Sequence, residues 1–316
     1  MLIGMQAWGI VSHVGVPDQE PDYYFYVLPN SMFCDPLKLP DSIHDINRAP
    51  IKWWLNCASF KWFDHNPKVL PLIFNIGVMP LVYLLGTTMS KDRMIGLIAL
   101  IAFVYNPLYS DWKNNGTYDQ TWSFFLLGSL FMVFRHGNQA GSWLGYAASI
   151  AGKSLSVMYF PLWLFTILKA NGKTAAIVSG VTFAGIITAI AFLRGFDPVG
   201  IYGADIGFYP GHWPEAVFGN ISVLWQVLPA FFALILMDRL FSHYHIKPPI
   251  NKGVTVIWMF GILLTDPIIH LFTGQTQYSY RMVPFAAMMS IFAAMVIVRL
   301  GNFVVESKLR AIPASS

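Results

Sequence analysis

Apolar positions run through this chain in long blocks separated by short polar turns. The blocks that read as membrane spans are Val69 to Gly86, Met94 to Tyr109, Thr121 to Phe134, Trp143 to Ile150, Leu155 to Leu168, Thr174 to Leu193, Ile221 to Met237, Val254 to Phe272 and Met282 to Val298. Val69 to Gly86, Thr121 to Phe134, Thr174 to Leu193 and Thr255 to Leu264 contain no Asp, Glu, Lys or Arg. A hydrocarbon core about 30 Å thick asks for about 17 to 25 apolar residues per crossing. A soluble helix would carry periodic charge on its outer face, and these blocks do not. The pattern therefore predicts an all-α fold, a polytopic transmembrane bundle of about eight to ten spans. It forms a single membrane domain, 1–316, with a first outer loop over 17–68, the bundle over 69–299 and a cytoplasmic tail over 300–316. Gly152 and Lys153 split one apolar stretch into two short pieces, which predicts a re-entrant or strongly kinked hairpin. Met1 to Val16 is apolar but short and lacks a basic n-region and a small-residue cleavage site, so it reads as the last part of a first span rather than a signal peptide.

Composition agrees. The 316 residues are 55% hydrophobic and 11% charged, where soluble domains have about 45 to 50% and about 25%. The net charge of +4 comes from basic residues spread singly, which excludes a nucleic-acid-binding face. Sidedness follows from short basic connections, since Lys and Arg stay on the cytoplasmic side. Lys91, Arg93, Arg135, Lys169, Lys173, Arg239, Lys247, Lys252, Lys308 and Arg310 fall in one set of connections and the tail, against only Asp92, Asp238 and Glu306. Asp18, Glu20, Asp22, Asp35, Asp41, Asp45, Asp64, Asp111, Asp119, Asp197, Asp205 and Glu215 fall in the other. The expectation is a multi-pass protein of the cell membrane with long acidic loops on the non-cytoplasmic side. Cys34 and Cys57 share one polar segment and are either a disulfide, if that segment faces an oxidising compartment, or two inert thiols.

The candidate chemistry lies in the acidic loops. Asp18, Glu20 and Asp22 sit at two-residue spacing between Pro17 and Pro21. In an extended chain such residues share a face, so they could converge on one divalent metal, with Asp18 and Glu20 as ligands, or on one acceptor hydroxyl. The alternative is a solvated turn. Asp111 and Asp119 form a second acidic group, in which Asp119 could instead stabilise a helix N-terminus. Asn115-Gly-Thr117 is a formal glycosylation sequon. The stretch Ile51 to Phe63 places Trp53, Trp54, Phe60, Trp62 and Phe63 beside Lys52 and Lys61, as in an interfacial helix with snorkelling lysines roofing a membrane cavity. Lys153 and Arg281 fall near the outer side, where cations could hold a lipid-linked phosphate. Asp266 and His270 are spaced to face each other on a helix, which opens a second reading as a secondary transporter or flippase. Walker, GxSxG, HExxH and paired CxxC patterns do not occur.

The order of these features resembles the multi-span GT-C glycosyltransferases, which include the protein mannosyltransferases and the lipid A aminoarabinose transferases. Phe60 to Lys169 carries most of the likeness: a roofing helix, a span ending in Val-Tyr-Leu-Leu-Gly86, a short basic turn, a span ending in Asn106-Pro-Leu, a loop with an Asp, and a Gly152-Lys153 step. Tyr280-Arg-Met-Val-Pro284 before the last span adds a second match. The resemblance implies that the carboxylates after the first span, by position Asp18, Glu20 and Asp22, supply the general base for the acceptor or ligate a divalent metal such as Mg2+ or Mn2+. It implies a sugar donor on a polyprenyl or dolichyl phosphate entering from the bilayer, with Arg281 and Lys153 near its phosphate. The acidic run is not the clean Asp-Glu or DxD pair of the family, which keeps a third reading open, a non-catalytic subunit of a membrane complex.

Overall fold

The computed structural model describes residues 1–37, 49–135, 139–194, 207–212 and 279–311, with isolated positions between 214 and 272. Asp41, Asp45, Asp197, Asp205, Glu215, Asp266 and His270 lie outside the described residues, as do the expected span Ile221 to Met237 and the basic connection after it. Among the described residues every regular element is helical. After α1 (Leu2–Ser12), a wide helical turn (Tyr23–Val27) leads into α2 (Leu28–Met32) and then α3 (Pro50–Trp62). The bundle follows as α4 (Val69–Ser90), α5 (Arg93–Val104), α6 (Pro107–Ser110), α7 (Thr121–Phe134), α8 (Gln139–Gly152), α9 (Phe160–Asn171), α10 (Lys173–Arg194) and α11 (Val283–Ala311).

Among the described residues two segments, Val69–Ser90 and Tyr280–Val305, are long and apolar enough to cross a membrane. At about 1.5 Å per residue α4 covers about 33 Å, while the 14 residues of α7 cover about 21 Å. The shorter helices have identifiable ends. Lys91 in the left-handed conformation closes α4, and Asp92 accepts from the Met94 amide to open α5. The block Met94 to Tyr109 is not one helix: Asn106 caps a new turn at the Leu108 amide, with Pro107 at the first helical position, where its missing N–H costs nothing. The expected break at Gly152-Lys153 is present as a tight helical turn, Ser154–Tyr159, between α8 and α9.

α11 runs through the middle. Val283, Ala286, Ala287, Met288, Ile291, Phe292, Ala294 and Met295 are all fully buried, and the helix packs on α4, α5 and α7. Lipid offers little hydrophobic reward for pairing helices, so close approach of small residues and a few buried hydrogen bonds carry the association. α7 and α8 meet in this way: Ser129 and Ser142 share the Trp163 indole N–H at 2.7 and 3.0 Å, and Ser149 donates to the Trp122 carbonyl at 2.9 Å. α4 and α5 cross at Gly86 and Gly96. A Cβ on Gly96 would fall 2.6 Å from the Tyr83 carbonyl oxygen and 2.1 Å from Thr87 Oγ1.

α3 is the helix expected over the aromatic stretch Ile51 to Phe63. Leu55 to Phe60 are buried, while Trp54 and Trp62 meet edge to face at 5.9 Å on its exposed side. The Cys34–Cys57 disulfide ties it to the chain just beyond α2, and Lys61 donates to the Met32 carbonyl. One expectation changes. Lys52 does not snorkel; it turns inward, donates to the Thr117 carbonyl and lies 3.4 Å from Asp119.

If the Gly86–Gly96 crossing holds α4 to α5, Gly96→Val should destabilise the purified protein by about 1 to 3 kcal/mol, read as a lowered Tm in detergent; an unchanged Tm would show that the two helices do not approach as described.

Candidate functional site

The chain between α5 and α7 folds over the end of the bundle and is fastened from below by Asn75, a fully buried polar residue of α4. Its amide donates to the Lys113 and Asn115 carbonyls at 2.9 and 3.3 Å, its Oδ1 accepts from the Gln120 amide at 2.7 Å, and its carbonyl accepts from Tyr109 at 2.8 Å. A buried residue whose side-chain amide satisfies three backbone groups and whose carbonyl takes a hydroxyl stabilises one loop conformation, because any other leaves buried groups unpaired.

Into this loop the segment after α1 inserts Asp18. One carboxylate oxygen lies 2.5 Å from Lys68 Nζ at the start of α4. The other accepts from the Gly116 amide at 3.0 Å and from the Thr117 amide and hydroxyl at 2.8 Å each. Lys68 also donates to the Val16 carbonyl at 2.7 Å. Both side chains are buried, at 4% and 2% exposure. Gly116 is required here because a Cβ would sit 2.7 Å from Lys68 Cγ.

Four residues on, Asp22 accepts from the Tyr118 hydroxyl at 2.8 Å. Burial, then the hydrogen bond to Asp22 and its charge, push the Tyr118 phenol well above its usual range, and Glu20 adds to the effect, so Tyr118 is a fixed donor. The Tyr118 ring stacks on Tyr280, centroids 4.5 Å apart and 13° from parallel, with the edge of Trp112 against both. The Tyr280 oxygen accepts from Lys153 Nζ at 2.9 Å and from Arg281 Nε at 3.3 Å, and the ammonium lies 4.0 Å from the Tyr280 ring centre. Arg281 is anchored through its carbonyl, which accepts from Tyr159 at 2.8 Å. Carboxylates and cations thus face each other across a stacked tyrosine pair.

Of the residues singled out in the sequence, Asp22, Lys153 and Arg281 are joined through Tyr118 and Tyr280, and Glu20 acts on Tyr118 by its charge. Asp18 stands beside it in a closed cradle. Asp119 caps the Thr121 amide at the start of α7 at 2.9 Å and meets Lys52, which joins loop to roof. Asp111 is exposed and bonded within its own turn to Ser110. The sequon is folded inward: the Thr117 hydroxyl serves Asp18, and Asn115 accepts from the Tyr118 amide. Sequence reasoning missed Lys68, Asn75, Tyr118 and the phenol of Tyr280. Lys68 carries one signal, as the cation directly before a charge-free block; the others carry none.

The donor set bears on a metal. An ammonium and three hydrogen-bond donors already fill the Asp18 carboxylate, so Asp18 does not fit as a ligand of a divalent ion without loss of its cradle. Among the described residues no group of three or more His, Cys, Asp or Glu side chains converges.

No family model matches the chain, and no curated protein matches it. Among solved structures it is similar to the crystal structure of ArnT from Cupriavidus metallidurans bound to undecaprenyl phosphate, with a TM-score of 0.61 and 13% identity. The match covers 98% of this chain and 63% of the other, so the chain spans less than two thirds of that protein's length. The chain has a GT-C-like fold, the architecture that its ordered features imply.

Removal of either partner from the Asp18–Lys68 pair leaves a buried charge, at a cost of about 3 to 5 kcal/mol. Asp18→Asn and Lys68→Met should each lower the Tm sharply, and the double variant should be more stable than the sum of the two losses requires; strict additivity in that cycle would contradict the pairing.

Proposed function

We propose that the chain is a membrane glycosyltransferase that moves a sugar from a polyprenyl- or dolichyl-phosphate carrier to an acceptor on the non-cytoplasmic side. The observation that carries this reading is the continuous line from Asp22 through Tyr118 and Tyr280 to Lys153 and Arg281. It links a proton acceptor to an anion-binding pair through two stacked rings at one end of a GT-C-like bundle. The bound undecaprenyl phosphate of the similar ArnT structure supports the choice of donor class.

In this reading Lys153 and Arg281 neutralise the phosphate of the lipid. The acceptor hydroxyl oxygen attacks the anomeric carbon, the carbon–oxygen bond to phosphate breaks, and its electron pair leaves on the lipid phosphate, where the cations stabilise the charge. Asp22 takes the hydroxyl proton. Tyr118 orients that carboxylate, and Glu20 keeps the neighbourhood anionic. Asp18 is a positioning residue: held by Lys68, Gly116 and Thr117, it fixes the loop that carries Tyr118.

Sidedness has two supports. The turns that carry Lys91, Arg135, Lys169 and Lys173 lie, by the alternation of the helices, at the end of the bundle away from the site, as cytoplasmic loops would. The Cys34–Cys57 disulfide belongs to the site end, which suits an oxidising compartment.

With purified protein in nanodiscs and a polyprenyl-phosphate sugar, Asp22→Asn should lower kcat by about 10²- to 10⁴-fold, the usual contribution of a general base, with little change in Tm. Transfer at the wild-type rate by the Glu20→Gln/Asp22→Asn double variant would overturn the assignment.

A further inference from the structure

We infer that the Tyr280 hydroxyl is a placeholder for the donor's phosphate, holding Lys153 and Arg281 until a phosphate ester displaces it. The inference rests on the proposed lipid-phosphate donor and adds to it a competitor built into the chain.

Two cations placed side by side in a buried site repel each other and lack water, so each needs an acceptor when no ligand is bound. The described structure supplies one oxygen to both. Tyr280 Oη accepts from Lys153 at 2.9 Å and from Arg281 Nε at 3.3 Å, and its ring face lies 4.0 Å from the ammonium. Tyr280 is 3% exposed, Arg281 9%, and Tyr159 fixes the Arg281 backbone, so these groups are held rather than sampled from solvent. A phenol oxygen is a neutral, single-atom acceptor; a phosphate ester offers several charged oxygens and can meet the guanidinium in bidentate fashion. The two cannot both occupy the same N–H donors of Lys153 and Arg281. A phosphate bound through the N–H groups now turned to the phenol displaces the Tyr280 hydrogen bonds, which sets donor affinity lower than the cations alone would give. The ring is needed for another reason, since it stacks on Tyr118 and so keeps the Asp22 hydrogen bond in place. Hydroxyl and ring thus have separable roles.

Tyr280→Phe tests this because it removes the oxygen and keeps the ring. Binding of undecaprenyl phosphate to the full chain in nanodiscs should tighten by about three- to tenfold, the size expected from removing a competing charge-assisted hydrogen bond. Lys153→Met should weaken binding, and in that background Tyr280→Phe should give a smaller gain, a non-additivity that a structural effect of the phenol would not produce. Weaker binding by Tyr280→Phe would make the hydroxyl a direct ligand of phosphate and overturn the inference while leaving the proposed donor intact. Unchanged binding would overturn it as well. Inorganic phosphate run in parallel separates the sources: Tyr280→Phe should raise affinity for both anions by a similar factor, and wild-type protein should prefer undecaprenyl phosphate to inorganic phosphate. A gain for one anion alone would overturn the placeholder, and equal wild-type affinities would overturn the lipid donor while leaving the placeholder. If wild-type protein binds undecaprenyl phosphate no better than farnesol, both readings fall. Should Tyr280→Phe unfold, Tyr280→Trp, which also lacks the hydroxyl and retains an aromatic face, carries the same comparison.

Discussion

A buried carboxylate against a buried ammonium fixes the rest of this site. Neither Asp18 nor Lys68 could be buried as an ion alone, because desolvation of one charge costs several kcal/mol. Together, and with three further donors on the carboxylate, they are satisfied. The pair binds three separate parts of the chain: the segment after α1, the start of α4, and the loop between α6 and α7. Asp22 lies four residues beyond Asp18, and Tyr118 is the neighbour of Thr117 in the same cradle. Their hydrogen bond is therefore a consequence of where Asp18 is held.

From that anchor the aromatic pair extends the site across the bundle. Tyr118 belongs to the loop and Tyr280 to the turn before α11, so their stacking joins the first half of the chain to its last described helix. The cations arrive from two places. Lys153 stands at the break between α8 and α9, and Arg281 beside Tyr280. A break in an apolar hairpin is where a lysine can be retained near a membrane boundary, since the interrupted helix and nearby polar groups meet its needs. The roof over this end is attached by Lys52 as well as by the disulfide, which explains why one lysine of the aromatic helix faces inward and the other does not.

Much of the fold was legible in the sequence because hydrophobic blocks and basic turns are local signals. The starts of α4, α7 and α10, the turn at Lys91 and the break at Gly152 all follow from spacing and composition. The site was legible in part. Lys153 and Arg281 stood out as charges in apolar surroundings, and the acidic run stood out as a run. What could not be read was which carboxylate does which work. Asp18 and Asp22 are the same residue type four positions apart, yet one is closed off by Lys68 and Thr117 and the other faces Tyr118. That difference is made by contacts spanning 50 to 99 residues of sequence. Periodicity assigns faces of helices; it does not pair loops at such distances. Tyr118 and Tyr280 look like ordinary boundary aromatics in sequence, and only their stacking and hydrogen bonds mark them. The lysines of the roofing helix misled for the same reason, since two residues of one composition pattern have different partners.

The central claim is that the acidic segment and the cation pair form one lipid-phosphate site. The most direct measurement is a cryo-EM structure of the full chain in nanodiscs with undecaprenyl phosphate. Phosphate density is expected within hydrogen-bond reach of Lys153 and Arg281, on the side of the stacked tyrosines that faces Asp22, with Asp18 still paired to Lys68. Phosphate density at the opposite end of the bundle, beside the basic turns at Lys91 and Arg135, would contradict it.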